Sequence, residues 1–328
     1  MPDRYADILV VDLLGGIGDL LMLLPAVHGL ARRNPGARLR VLTHEPGADL
    51  VRADPAVAEV RTPRHGGPGA EREAVVAALA AVRPDLAVST TRYDGIPDLL
   101  DAGAGRAVTN LWRDPPPRQP VGDRYLEILC AEGLLDASDR AARPRVHLGD
   151  DARRAGERAV AHLVGGPLAP PVVLVTDAGM AVKRWPDRRW RGLAGGLTRR
   201  GHPVLTVGPV GGDPVGVPLP RADLPVLAGQ FAAIGRRGGV VVGPDTGPVR
   251  LAAAAGAATV ALFGPTDARR YGMGGVDLQG LPGCPHRLPT AITEQPCWWQ
   301  ARCPLDETGP ACMIDLDVDA VLAAVTAC

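Results

Sequence analysis

Short apolar runs alternate along the chain with longer segments in which apolar residues recur every three or four positions. In the first half, the short runs predict strands at 8–14, 38–43, 56–61, 84–89 and 105–109. A Gly-rich turn follows the first strand, and a helical pattern at 19–33 follows the turn. Pro25 lies inside that pattern, so we expect it to kink the helix or to begin a new first turn.

The same alternation begins again in the second half. Strands are predicted at 172–176, 203–207, 239–243 and 258–263, and helices at 151–164, 187–200, 230–237 and 248–256. Strands that alternate with helices predict parallel sheets covered by helices on both faces. We therefore predict an α/β protein with two doubly wound domains that face each other across a cleft, with ligands outside the carboxyl ends of the strands.

Length also favours two domains, since 328 residues exceed one domain of ordinary size. A Gly- and Pro-rich joint lies between the halves. We place an N-terminal domain at 1–150, a C-terminal domain at 151–312, and a C-terminal helix at 313–328 that can pack back on the first domain.

Charge and hydropathy narrow the classes of partner. The chain has 36 Lys plus Arg and 36 Asp plus Glu, and 46% of its residues are hydrophobic. The hydrophobic content and the balanced charge exclude a chain that is disordered by default. The balanced charge also argues against general electrostatic binding to nucleic acid or to an anionic membrane. The sequence shows neither a signal-peptide pattern nor an apolar run near the ~20 residues of a membrane span. We expect a cytoplasmic protein with no nucleic-acid partner and at most peripheral membrane association.

The first Gly-rich loop reads Gly15-Gly16-Ile17-Gly18-Asp19. It is not a dinucleotide fingerprint, because Leu21 stands where the third glycine is needed, and the chain has no P-loop. Gly16 and Gly18 still allow a ligand to approach the backbone closely. Asp19 is then either the N-cap of the helix or a functional carboxylate at the tip of the loop.

A second loop follows a buried strand and reads Asp245-Thr246-Gly247-Pro248. Pro248 near the first position of a helix leaves backbone N–H groups facing outward, which together with the helix dipole form a phosphate site. Thr246 can donate its hydroxyl hydrogen, and Asp245 can hold a sugar hydroxyl. The alternative is a capped turn that binds nothing.

A third loop follows the strand at 172–176 and contains Lys183-Arg184-Trp185-Pro186. The two adjacent cations suit a diphosphate, Lys183 as a point charge and Arg184 as a fork. A solvated loop is the alternative. Lys183 is the only lysine in a chain whose codon usage has replaced lysine with arginine elsewhere, and its retention here favours function.

Taken together, these loops resemble the signatures of glycosyltransferase family 9, the ADP-heptose heptosyltransferases. The opening Gly18-Asp19, the central motif at 183–186, and the blocks at 243–248, 251–256 and 261–266 are similar to that family over nearly the whole chain. One departure is Arg250, since the family usually has His at this position. Arg250 adds a permanent charge and a longer reach.

The resemblance implies a GT-B fold, with the donor held mainly by the C-terminal domain, and an inverting transfer without a catalytic metal or cofactor. The donor-binding set is expected to include Lys183, Arg184, Asp245, Thr246, Gly247 and Pro248, with Gly16 and Gly18 near the acceptor or diphosphate. Asp19 is the candidate base. The implied donor is ADP-heptose and the implied acceptor is a hydroxyl of the lipopolysaccharide core, in a monomeric protein.

Alternatives stay open at this point. The acceptor can instead be a soluble natural product of aminoglycoside or nucleoside type, or the chain can bind a nucleotide sugar without catalysing transfer. The loop at 208–213 lies where the family binds the nucleoside. Four cysteines, Cys284, Cys297, Cys303 and Cys312, lack the paired spacing of a zinc site, so free or occasionally bridged thiols are favoured over a structural metal.

Overall fold

The computed structural model describes residues 5–64, 66–164, 169–208 and 215–328. The chain divides into two compact units, 1–115 with 121–149 and 116–120 with 150–328. Except for Gly208, the predicted nucleoside loop at 208–213 lies outside the described residues.

The first unit is a parallel sheet with order β3-β2-β1-β4-β5. Its strands are β1 (Asp7–Asp12), β2 (Arg38–Thr43), β3 (Glu59–Arg61), β4 (Leu86–Ser89) and β5 (Arg106–Val108). Its helices are α1 (Ile17–Arg33), α2 (Ala48–Val51), α3 (Ala70–Ala81), α4 (Ile96–Gly103) and α5 (Val121–Ala131), followed by a 3-10 helix at Ala137–Ala141.

The core of this unit lies on both faces of β1, as the unbroken apolar run of that strand requires. Ile8, Leu9, Val10 and Val11 are fully buried. The guanidinium of Arg40 is also fully buried, and it donates to Asp7 Oδ1 at 2.5 Å and to the carbonyls of α3 and its C-cap.

The second unit is also a parallel sheet, with order β11-β10-β9-β6-β7-β8. Its strands are β6 (Val172–Val175), β7 (Val204–Val207), β8 (Val217–Pro218), β9 (Val240–Pro244), β10 (Ala258–Phe263) and β11 (Val276–Gln279). Its α-helices are α6 (Asp150–Leu163), α7 (Asp187–Arg199), α8 (Leu224–Arg236), α9 (Gly247–Ala254), α10 (Ala268–Tyr271), α11 (Ala311–Asp315) and α12 (Val318–Thr326). Short 3-10 helices lie at Ala181–Lys183 and Ile292–Glu294.

Helices α6 and α8 cross at a pair of glycines. A Cβ atom at Gly156 would lie 2.1 Å from the carbonyl carbon of Gly229, and one at Gly229 would lie 2.3 Å from the oxygen of Ala152. No side chain fits at either position, so the two backbones pack directly against each other.

Residues 116–120 belong to the second unit although the sequence around them belongs to the first. The buried guanidinium of Arg270 donates to the carbonyls of Pro116 at 3.2 Å and Gln119 at 3.3 Å. The sequence did not predict that this segment belongs to the second unit.

Several predicted boundaries need correction. Helix α1 runs without interruption through Pro25, which therefore does not begin a new first turn. Helix α8 begins at Leu224 rather than at 230, because Asp223 caps it by accepting from the Val226 N–H at 2.9 Å and Pro225 occupies its first turn. The C-terminal helix α12 buries Val321, Leu322 and Val325 in the core of its own unit, which accounts for its apolar pattern.

Candidate functional site

Each sheet has a topological switch point, where the strand order reverses and the carboxyl ends of two strands open a crevice. In the first unit the switch point lies between β1 and β4, and in the second between β6 and β9. Ligands of open α/β sheets bind at such places. The predicted site residues lie on the loops that leave strands bordering these switch points, or in the first turns of the helices that follow.

Asp245, which follows β9, lies at the centre of a buried polar cluster. Its Oδ1 accepts from Arg250 Nη2 at 2.5 Å, and its Oδ2 accepts from Thr266 Oγ1 at 2.8 Å and from Lys183 Nζ at 3.1 Å. Lys183 Nζ also donates to the carbonyl oxygen of Asp245 at 3.1 Å. The structure thus brings together two residues predicted from separate loops, Lys183 and Asp245.

Burial and the two cations act in opposite directions on Asp245. Burial alone would raise the pKa of this carboxyl, but the charges of Arg250 and Lys183 and the hydrogen bonds from Arg250 and Thr266 hold it well below its ordinary value. Asp245 is therefore a carboxylate at neutral pH. With both partners counted, the cluster carries one net positive charge.

Lys183 is held from its other side by an aromatic ring. Its Nζ lies 5.4 Å from the centre of the Trp298 ring, within the range of a cation–π contact. Trp298 is buried with Val182 and Cys297 in a small apolar cluster. The segment that contains Trp298 is thus anchored against the loop that carries Lys183, while Trp299 is 71% exposed.

The loop after Asp245 forms the start of α9, as predicted. Thr246 is the N-cap residue, and Gly247 and Pro248 are the first two helical residues. The Thr246 hydroxyl donates to the carbonyl of Pro244 at 3.2 Å rather than capping the helix. The first N–H groups of a helix have no intrahelical partner, so this end can bind an anion beside Lys183.

Arg184 points to a different partner from Lys183. Its Nε lies 3.0 Å from Asp177 Oδ1, and the two side chains are 56% and 42% exposed. Asp177 follows β6 at the switch point. Arg184 therefore lies on the solvent-facing rim of the predicted donor loop.

In the first unit, Asp19 is in the first turn of α1 but is not its cap. Gly16 is the N-cap residue, so Gly18 and Asp19 are the second and third helical residues. A Cβ atom at Gly16 would lie 2.8 Å from Asp19 Oδ2. The glycine leaves room for the Asp19 carboxylate over the loop, and the N-cap interpretation of Asp19 is wrong.

A second carboxyl in this region was missed from the sequence. Asp12, the last residue of β1, is buried and accepts from Thr90 Oγ1 at 2.5 Å. Burial, and then the charge of nearby Asp19, raise the pKa of Asp12 to about 7, although the Thr90 hydrogen bond lowers it. The sequence does not single out Asp12, because it lies inside the apolar run at 8–14 that predicts the strand.

A small pocket opens at the carboxyl ends of β1 and β2. It is lined by Gly15, Gly16, Ile17, Leu20, Thr43, His44, Glu45 and Gly47. His44 Nε2 lies 3.5 Å from Glu71 Oε1. Tyr93, which is partly exposed, donates its hydroxyl hydrogen to the carbonyl of Leu13, and burial and nearby carboxylates raise its pKa to about 12.

All six cysteines are unbridged. Burial raises the pKa of Cys297, and it raises that of Cys312 to about 12, so both are held as thiols. Within the described ranges, no group of three or more His, Cys, Asp and Glu side chains is arranged to hold a metal ion.

Sequence comparison gives one family match. The model of glycosyltransferase family 9 (heptosyltransferase) matches residues 222–280, the segment that contains Asp245, Arg250 and Thr266. The predicted resemblance to this family is confirmed. No curated protein matches the sequence significantly.

Solved structures of this type match along most or all of the chain. A family 9 glycosyl transferase from Veillonella parvula DSM 2008 is 16% identical, with a TM-score of 0.78 over 100% of this chain and 98% of that chain. The E. coli ADP-heptose lps heptosyltransferase II is 17% identical, with a TM-score of 0.69 over 98% of each chain. E. coli heptosyltransferase WaaC with ADP-2-deoxy-2-fluoro heptose is 20% identical, with a TM-score of 0.59 over 88% of this chain and 98% of that chain.

At these identities the structures establish the fold. The predicted GT-B class, two α/β domains with parallel sheets, is confirmed. With the family 9 match, the fold indicates a glycosyltransferase. In the part of the chain that the structure describes, no helix is both long and apolar enough to cross a membrane.

Proposed function

We propose that this family 9 type glycosyltransferase moves a heptosyl group from ADP-heptose to an acceptor hydroxyl, with inversion at the anomeric carbon. The observation that carries the proposal is the cluster of Lys183 and Asp245 beside the start of α9. A cation beside the first N–H groups of a helix is suited to bind a diphosphate, which is the leaving group of a nucleotide sugar.

In the proposed reaction, the acceptor oxygen attacks the anomeric carbon as the bond from that carbon to the diphosphate oxygen breaks. The diphosphate leaves with the electron pair, and Lys183 and the first N–H groups of α9 stabilise its growing charge. Asp19 accepts the proton of the acceptor hydroxyl as general base. Neither a metal nor a cofactor is assigned a role in these steps.

The acceptor is proposed to bind in the first unit, at the pocket that Gly16 and His44 help to line. A sugar of the lipopolysaccharide core is the acceptor that the family suggests. A soluble natural product of aminoglycoside or nucleoside type is the second candidate. We further propose a cytoplasmic, monomeric protein, which light scattering in solution can test.

A calorimetric screen of ADP-, GDP-, UDP- and dTDP-sugars tests the donor assignment. We expect binding of the ADP sugar in preference to the other three. Preference for another base, or binding of none of them, would remove ADP-heptose as the donor. A transfer and donor-hydrolysis assay with the preferred sugar then separates an enzyme from a protein that only binds nucleotide sugars.

A further inference from the structure

Each carboxylate oxygen of Asp245 has a hydrogen-bond donor other than Lys183, which donates to Oδ2. Oδ1 accepts from Arg250 at 2.5 Å, and Oδ2 accepts from Thr266 at 2.8 Å. If the Lys183 ammonium moved away, both oxygens would still be hydrogen bonded. A buried carboxylate that keeps its partners does not incur the large cost of an unpaired buried charge.

Arg250 bridges two segments of the second unit and is more deeply buried than Lys183. The same Nη2 atom that contacts Asp245 also donates to the carbonyl of Tyr271 at 2.5 Å. The Arg250 side chain is 9% exposed, whereas that of Lys183 is 17% exposed. An ammonium on a flexible stem is also the easier of the two cations to move.

Charged groups lie near Arg250 on three neighbouring segments of the second unit. Asp245 lies on the loop before α9, Lys183 in the facing 3-10 helix, and Asp277 on β11. Burial raises the pKa of Asp277, and its oxygens accept from the Met273 N–H. Arg250 itself donates to Asp245 and to the carbonyl of Tyr271.

We propose that Arg250 is the fixed counter-ion of Asp245 and thereby leaves Lys183 as the movable cation that binds the diphosphate. Arg250 is thus a positioning residue, which acts on the ligand through Lys183. The inference rests on the proposed donor site. It also gives a physical role to the one position where the family motif is not followed.

A double-mutant cycle with ADP as the probe tests this coupling. In Arg250→Gln, Lys183 becomes the only cation on Asp245, so we expect ADP binding to weaken by about 10-fold to 100-fold. Lys183→Met should weaken binding to a similar degree. The double variant should bind ADP about as weakly as Lys183→Met alone. If the two effects instead multiply to within about twofold, Arg250 acts independently of Lys183 and the proposal is wrong.

Two further variants control for damage to the fold. Arg250→Lys keeps the charge and should bind ADP more tightly than Arg250→Gln. Arg40→Gln removes an arginine of the other unit that is even more buried than Arg250, and it should lower thermal stability without changing ADP affinity. An ADP affinity that falls to the same extent in Arg40→Gln would show a general effect of losing a buried arginine and would overturn the proposal.

Because Lys183 is the only lysine, protein labelled with ¹⁵N-lysine gives one side-chain ammonium signal in an NMR spectrum. In ligand-free Arg250→Gln, exchange of these protons with water should slow several-fold, since the ammonium is then held on Asp245. Unchanged or faster exchange would overturn the proposal. If wild-type protein binds no nucleoside diphosphate, the proposed function fails, and this ligand-free signal still decides the role of Arg250.

Discussion

Asp12 and Asp245 lie at comparable places in the two units, each at the carboxyl end of a strand that borders the switch point of its sheet. Both are almost fully buried, at 2% and 4% exposure. Their pKa values nevertheless move in opposite directions. That of Asp12 rises to about 7, and that of Asp245 falls below its ordinary value.

The opposite pKa shifts of the two carboxyls come from the charged groups near each of them. Two cations contact Asp245, whereas the charge that shifts the pKa of Asp12 is that of another carboxylate, Asp19. Burial favours the neutral form of any carboxyl, and nearby positive charge together with hydrogen bonds to the carboxylate reverses that preference at Asp245. The second unit thus has the charges suited to holding an anion. The first has a pair of carboxyls suited to accepting a proton.

The largest expected effect separates these two roles. Asp19→Ala should lower the rate of transfer by roughly 10²–10⁴-fold, since it removes the proposed general base. Binding of ADP should stay within about twofold of wild type, because Lys183 and α9 lie in the other unit. Rates and affinities are measured by product formation and calorimetry, with the exposed Asp101→Ala as control. Near-normal turnover would remove Asp19 from the role of base.

Next in size is the effect of removing the paired carboxylate. Asp245→Asn leaves Arg250 and Lys183 without their anion, so we expect the free energy of unfolding to fall by about 3–5 kcal/mol at pH 7. Because the pKa of Asp245 is lowered in the folded protein, its stabilisation is present above pH 3.8 and is lost as pH falls below that value. Denaturant unfolding of wild type and of Asp245→Asn at pH 7 and at pH 3 measures the loss of stability at each pH. An equal loss at both values would contradict the charge pairing.

Replacing Asp12 should have the opposite effect: Asp12→Asn should raise the free energy of unfolding rather than lower it. The folded pKa of Asp12 is raised from 3.8 to about 7, so the folded state binds more protons between these values and wild type loses stability as pH rises through them. The Asn variant should therefore be the more stable one above pH 7, by about 4 kcal/mol at most, and about equal below pH 4. A stability difference that does not change with pH would show that Asp12 does not titrate in this range.

The smallest effect is expected at the exposed pair. Arg184→Gln breaks the contact with Asp177, and both side chains are largely in solvent. The free energy of unfolding should change by less than about 1 kcal/mol, as is usual for surface ion pairs. Thermal unfolding of Arg184→Gln and Asp177→Asn measures this. A loss of stability as large as that of Asp245→Asn would contradict the expectation that an exposed ion pair contributes less to stability than a buried one.

Features with a local signal were predictable. The strand at 258–263 coincides with β10, because a short, mostly apolar run with a glycine near each end has few alternatives. Pro248 indicated the start of α9 to within one residue. Helix α8 was predicted too short because the cap at Asp223 and the proline that follows it were overlooked, although both are readable in the sequence.

Features that depend on contacts through space were not predictable. Asp12 lies inside the apolar run at 8–14, and only the fold shows that Thr90 and Asp19 lie near it. Nothing local in the sequence places Trp298 over Lys183, since they are far apart along the chain. The bond between Arg250 and Asp245 spans five positions, outside the spacing at which helical side chains normally meet.

Because residues 116–120 belong to the second unit, that unit is difficult to express as one continuous fragment. A fragment that begins at Asp150 retains every strand of the second sheet but loses the Pro116 and Gln119 carbonyls that accept from Arg270. A buried guanidinium that loses two of its acceptors is costly, so such a fragment should express poorly. A circular permutant that restores the segment beside Arg270 would be the sounder way to isolate the second unit.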